Sequence, residues 1–133
     1  MLKDFTTLVL AKLRADLDIA KRFDKRVDKR TKDIQLFERG FWQLDCTGWD
    51  NQLRFEAWAY ITNYVASGMG DWGFWAVRDE EFPRIRVYCW GQTVPHAYLL
   101  LYLASQREIL FTGASWYDGG GQEAIVMKTS LGD

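Results

Sequence analysis

Residues 71–91 read DWGFWAVRDEEFPRIRVYCWG. Two runs of strand-forming residues flank a charged turn that contains Pro83. In the second run Ile85, Val87 and Cys89 alternate with Arg84, Arg86, Tyr88 and Trp90. A period of two suits a strand with one face buried and one face open. The first run follows the same rule less cleanly, with Phe74 and Ala76 set against Trp75 and Val77. The pair reads as a β-hairpin. The aliphatic side is its core face, and the arginine and aromatic side is its candidate functional face.

Working outward, residues 51–67 carry Leu53, Ala57, Tyr60, Ile61, Tyr64 and Val65 at helical spacing. Asp50 or Asn51 can cap the start, and Gly68 stands where a C-terminal glycine belongs. Upstream, Phe41–Thr47 (FWQLDCT) reads as a short strand or an extended link between Gly40 and Gly48. Downstream, residues 96–104 (HAYLLLYLA) are open to a buried helix after Pro95 or to a buried strand. The turn-like SQRE before Ile109 tips the reading to a strand over 97–104, paired with one over 108–114. Residues 117–121, Tyr-Asp-Gly-Gly-Gly, form an open turn, and 123–129 returns as a last strand.

The N-terminal part has a different character. Phe5, Val9, Leu13, Leu17 and Ala20 mark one face of an amphipathic helix. A short repeat follows (KRFD, KRVD, KRTK, residues 21–32), and neither Gly nor Pro appears before Gly40. The expectation is helix over about 2–39, as one rod or two with a kink. Leu13, Ala20, Val27 and Ile34 fall seven residues apart, with Leu10 and Leu17 between, so helix pairing within the chain or across a dimer is a fair expectation.

The fold expected is therefore α+β. Helices at about 2–39 and 51–67 pack on one face of an antiparallel sheet of four to five strands, at about 73–79, 84–90, 97–104, 108–114 and 123–129. A length of 133 residues, 48% hydrophobic and 26% charged, suits one domain over 1–133 with a proper core. Within it, residues 1–39 form a basic helical arm. Through Gly40 that part holds eleven Lys or Arg against seven Asp or Glu. Residues 41–133 form an acidic, aromatic-rich body with six against eleven.

Composition argues against several functions. The longest apolar run, Ala97 to Ala104, is short of the roughly 20 residues of a membrane span, and residues 1–20 lack a signal-peptide pattern. Cys46 and Cys89 are too few for a disulfide framework and sit in no zinc spacing, so they read as small buried hydrophobes in a reducing cytoplasm. His96 is the one histidine, which leaves no donor set for a metal. Gly119–Gly121 lacks the lysine of a phosphate loop, and neither GxSxG nor HExxH occurs. Asp79, Glu80 and Glu81 read as solubilising residues at a hairpin tip. No catalytic residue, cofactor or metal is expected.

Two surfaces remain. Arg84, Arg86, Tyr88 and Trp90, with Trp75 opposite, combine the residue types most often found as interface hot spots. They predict a protein partner or peptide segment, bound by an adaptor or assembly-type chaperone that is itself a homodimer. The competing expectation for the same residues is a structural ladder of arginines stacked on rings, or a face covered by the N-terminal helices. Lys21, Arg22, Lys25, Arg26, Lys29 and Arg30 form a basic patch that would serve a weak anionic-polymer binder, although Asp24 and Asp28 between them disfavour nucleic acid. A third expectation is a small-ligand pocket or proton-transfer enzyme of cone-like α+β fold, with His96 near Tyr88, Tyr98 or Asp79.

Overall fold

Seven residues, Arg39–Asp45 (RGFWQLD), form the middle of the molecule as strand β1. Gly40, Trp42 and Leu44 point inward, whereas Arg39, Phe41, Gln43 and Asp45 point to the opposite side. The computed structural model describes residues 21–28, 34–68, 73–80 and 83–129. On one flank of β1 lies β3 (Arg84–Trp90), followed by β2 (Trp75–Arg78). On the other flank lie β4 (Ala114–Tyr117) and β5 (Glu123–Val126). The order β2-β3-β1-β4-β5 is antiparallel throughout. The fold is α+β, with its helices packed against this five-stranded sheet.

Helix α2, Asn51–Ser67, begins where the Asp50 carboxylate accepts the Leu53 amide at 2.7 Å. It stops at Gly68, whose φ of 74° lets the chain turn left-handed while its amide bonds the Val65 carbonyl. Arg54 ties the first turn of α2 to the end of β1, donating to the carbonyls of Cys46 and Thr47 at 2.9 and 2.8 Å. Ala57 and Ile61 are its buried anchors.

The chain between β3 and β4 corrects the strands expected over 97–104 and 108–114. Residues Val94–Ala104 form helix α3, entered through a 3-10 turn at Gly91–Thr93 with Pro95 in its first turn. Ala97, Tyr98, Leu100, Leu101 and Ala104 are buried, the recurrence of a helix face rather than of a strand. Leu and Ala favour helix, and no β-branched residue occurs from 95 to 108 to favour a strand. Gln106 and Arg107 take positive φ values of 52° and 73°, so the SQRE segment reverses a helix and not a hairpin. The next element is a single turn of helix, α4 (Ile109–Thr112), closed by Gly113, and the strand begins only at Ala114. The first and last strands are also shorter than expected, 75–78 against 73–79 and 123–126 against 123–129.

The helix expected over 2–39 is corrected in its second half. Residues 21–26 are helical (α1), and Val27 then makes an isolated antiparallel bridge to Met127. The Asp28 amide bonds the Val126 carbonyl and the Lys128 amide bonds the Arg26 carbonyl, each at 2.7 Å. The outer edge of β5 would otherwise leave these backbone groups unpaired, which outweighs one more turn of helix. Residues 34–38 are not helical. The seam through Leu10, Leu13, Leu17 and Ala20, and the basic residues Lys29 and Arg30, lie outside the described residues.

The core fills the space between the sheet and the helices. Trp42, Leu44, Ile85, Val87 and Trp116 rise from the strands to meet Phe23, Ile61, Val94, Leu101 and Ile109. Full burial of each aliphatic side chain contributes about 1.5–3 kcal/mol. Trp42 also donates its indole N–H to the Val94 carbonyl at 3.2 Å, fixing α3 on the sheet. Phe23 of α1 meets Trp42 and Tyr98 edge-on. The described helices therefore all lie on one face of the sheet.

Candidate functional site

The register of the sheet builds the other face. Trp75 pairs with Tyr88, Tyr88 with Phe41, and Phe41 with Tyr117. Four aromatic residues thus form one row across β2, β3, β1 and β4. Phe41 lies 5.1 Å from Tyr88 with planes tilted by 47°, and 5.1 Å from Tyr117 with planes 12° apart. Such cross-strand ring pairs contribute roughly 0.2–1 kcal/mol each to sheet stability. Trp75, at the sheet edge, stays 62% exposed.

Two arginines flank the row. The Arg39 guanidinium sits 5.9 Å from the Tyr88 ring and 5.5 Å from the Trp90 ring, and donates to the Gly73 carbonyl at 2.6 Å. On the other side Arg86 lies 5.4 Å from the Phe41 ring and donates through Nε to Gln43 Oε1 at 2.9 Å. Arg84 is exposed, stands opposite Asp45 in the register, and pairs with Asp79 at 2.9 Å. Thr47 donates to the Asp45 carboxylate from its hydroxyl at 2.7 Å and from its amide at 3.1 Å. Those bonds, with Arg84 nearby, hold the Asp45 carboxyl below the usual aspartate range.

Beside the row, toward β5, runs an open groove of about 690 Å³. Tyr117, Ser115 and Gln43 supply its floor, and Asp45, Thr112 and Lys128 its rim. Aromatic row and groove form one continuous surface that none of the described helices covers.

Each residue singled out in the sequence has a definite place. Arg84, Arg86, Tyr88, Trp90 and Trp75 share the face opposite the described helices, although Trp90 is half-buried where Gly73 passes against its indole. Gly73, at φ 102°, approaches so closely that a side chain there would strike the Trp90 ring. Sequence reasoning missed Arg39, Phe41, Gln43 and Tyr117. Their signal was the alternation within FWQLD, which acquires meaning only once β1 is placed beside β3. Lys21, Arg22 and Lys25 are exposed on α1 and Arg26 is half-buried.

The enzyme-like groupings do not assemble. His96 and Tyr98 belong to α3, on the helical side, while Tyr88 faces the opposite way and Asp79 is held by Arg84. Cys46 and Cys89 are both buried and free. They stand roughly 20 Å apart along β1, since Cys89 lies opposite Gly40 six residues before Cys46. Burial pushes the Cys46 thiol up to about 12 and the Cys89 thiol up to about 11, away from a nucleophilic thiolate. The glycines at 119–121 close the β4–β5 turn. Asp118 Oδ1 accepts the amides of Gly120 and Gln122 at 3.0 Å, and Glu38 Oε1 accepts that of Gly119 at 3.0 Å. Those amides already bind carboxylates of the chain itself. Among the described residues no group of three or more His, Cys, Asp or Glu could hold a metal ion, and no helix is long and apolar enough to cross a membrane.

No protein-family model, no curated protein and no solved structure matches this chain.

Proposed function

We propose that this chain is a non-catalytic adaptor or assembly-type chaperone that binds a protein segment across its aromatic and arginine face. The observation that carries the reading is the row Trp75, Tyr88, Phe41 and Tyr117, flanked by Arg39 and Arg86 and running out to the edge of the sheet. Tyr, Trp and Arg dominate interface hot spots because each joins a large contact area to a polar handle. A purely structural ladder would have no need to end in an exposed tryptophan.

The edge itself suggests how a segment docks. Asp79 bonds the Arg84 carbonyl through its amide, so by antiparallel alternation Val77 and Trp75 also bond inward. Ala76 then turns its N–H and C=O groups to the outer side of β2. Among the described residues no strand pairs with that side of β2. An extended segment adding there would gain main-chain bonds, set alternate side chains beside Trp75 and Val77, and suit the arginines with a flanking carboxylate. In this reading the protein works in the cytoplasm, which its two free thiols suit. A second copy occupying the same edge would make it a homodimer.

The test compares the full chain with Arg84→Ala/Arg86→Ala and with Ala76→Pro, which deletes an outward N–H while keeping the ladder to β3. Each is used as bait in source lysate, and each is weighed in solution by light scattering. Loss of one abundant partner, or of the dimer, in both variants with unchanged circular dichroism supports the proposal. Capture and mass unchanged in both variants overturn it.

A further inference from the structure

A second cavity, on the helical side of the sheet and away from the aromatic row, lies between α1 and α3 and holds about 260 Å³. Phe23, Pro95, Leu99 and Leu110 make its apolar walls. Arg22 and Arg26, one helical turn apart on α1, bring two positive charges to it. Among the described residues no carboxylate lines it.

The polar groups inside are incompletely used. Tyr98 is only 5% exposed, and neither its hydroxyl nor Arg26 Nε, both buried, makes a hydrogen bond within the protein. Buried donors are almost always satisfied, so two of them lining one small cavity point to a missing acceptor. Burial raises the Tyr98 pKa, and the adjacent Arg26 side chain opposes that rise, first as a donor lying close to the phenol and then through its charge, although the geometry between the two falls short of a proper hydrogen bond. The Arg26 Nη2 is directed elsewhere, toward the Lys128 carbonyl at 3.5 Å. A donor from the guanidinium and one from the phenol suit the two oxygens of a carboxylate.

We infer that this cavity binds a small amphipathic acid, with its carboxylate held by Arg26 and Tyr98 and its hydrocarbon tail against Phe23, Pro95, Leu99 and Leu110. The volume is at the small end of ligand pockets, which fits a short acyl chain better than a lipid or a nucleotide. This site does not depend on the protein-binding face, and either can fail without the other.

The experiment is an NMR titration of the full chain with octanoate, octanol and acetate. Saturable shifts with octanoate are expected, with octanol and acetate each weaker by about tenfold or more, since one lacks the charge and the other the tail. Arg26→Met should weaken octanoate by about tenfold or more, and Tyr98→Phe by several-fold with no loss of thermal stability. Arg84→Ala/Arg86→Ala should bind octanoate as the parent chain does. No saturable octanoate binding, equal affinity for octanoate and octanol, or unchanged affinity in Arg26→Met would each overturn the assignment. If Arg26→Met does not fold, Tyr98→Phe decides alone: undiminished octanoate affinity in that variant rejects the site.

Discussion

Arg86 and Gln43 meet side by side on neighbouring strands, Nε to Oε1 at 2.9 Å, and that bond holds the guanidinium beside the Phe41 ring. A hydrogen bond to a charged group and a ring contact act here on one side chain, so their contributions should not add. Arg86→Ala and Gln43→Ala are each expected to cost about 1 kcal/mol in urea unfolding, with a coupling of roughly 0.5–1 kcal/mol in the double-mutant cycle. A coupling of zero would mean that the pair does not form in solution.

Gly40 gives the sheet its tightest approach. A Cβ there would collide with the Tyr117 carbonyl and with the Trp116 ring. Gly40→Ala is therefore expected to cost more than about 2 kcal/mol, because one obstacle is backbone and the other a fully buried ring. For a domain of this size that is a fall in Tm of roughly 3–5 °C per kcal/mol by calorimetry. A neutral result would show that β4 does not pack across β1 as described.

Asp45 offers a test by pH. Its folded pKa is depressed by the two Thr47 bonds and then by Arg84, so its stabilising contribution is present above the unfolded aspartate pKa. That contribution is lost as pH falls through the depressed folded value. Thr47→Ala should return the carboxyl toward the ordinary aspartate range, read from carbon-13 shifts of Asp45. The stability gap between Thr47→Ala and the parent should accordingly narrow on acidification. A gap independent of pH would assign the effect to something other than this carboxylate.

Cys46 and Cys89 should be inert in the native protein. With both thiols buried and their pKa values pushed to about 12 and about 11, labelling by a thiol reagent at mild alkaline pH should proceed only as fast as the protein opens. Addition of denaturant should release two equivalents at once. Rapid native labelling of either residue would contradict its placement.

Trp42 joins sheet to helix through one hydrogen bond inside the core. Trp42→Phe removes the indole N–H that serves the Val94 carbonyl and leaves a void beside Phe23 and Tyr98. The expected cost is about 2–4 kcal/mol, measured by denaturant titration. Because α3 hangs on that bond, helical circular dichroism should be lost in the same transition as tryptophan fluorescence.

The hairpin and α2 were legible because their signals are local. Period two in Arg84–Trp90, and an aspartate and a glycine bracketing Asn51–Ser67, involve residues close in sequence. Helix α3 was not legible as a helix because Leu99 and Leu103 continue the apolar run on its half-exposed side and erase the polar stripe. Strand β1 stayed open between a short strand and a link, since nothing within FWQLDCT announces that its partners lie at 84–90 and 114–117. The site divided the same way. Arg84, Arg86, Tyr88 and Trp75 follow from alternation inside one hairpin, whereas Phe41, Tyr117 and Arg39 join them only through a register set by distant strands. The end of α1 at Arg26 was hidden for a related reason, the backbone appetite of a β5 edge a hundred residues away.

Putting β1 at the centre also orders the folding reaction. Its two neighbours come from much later in the chain, whereas β2–β3 and β4–β5 each close over a short turn. Distant pairings must overcome loop-closure entropy before they reward it. The two hairpins are therefore expected to form early and independently, with β1 inserting between them in the rate-limiting step. Substitutions at Leu44 should then slow folding, while equally costly ones at Ala124 should mainly speed unfolding. Stopped-flow chevrons showing the reverse pattern would mean that the middle of the sheet is laid down first.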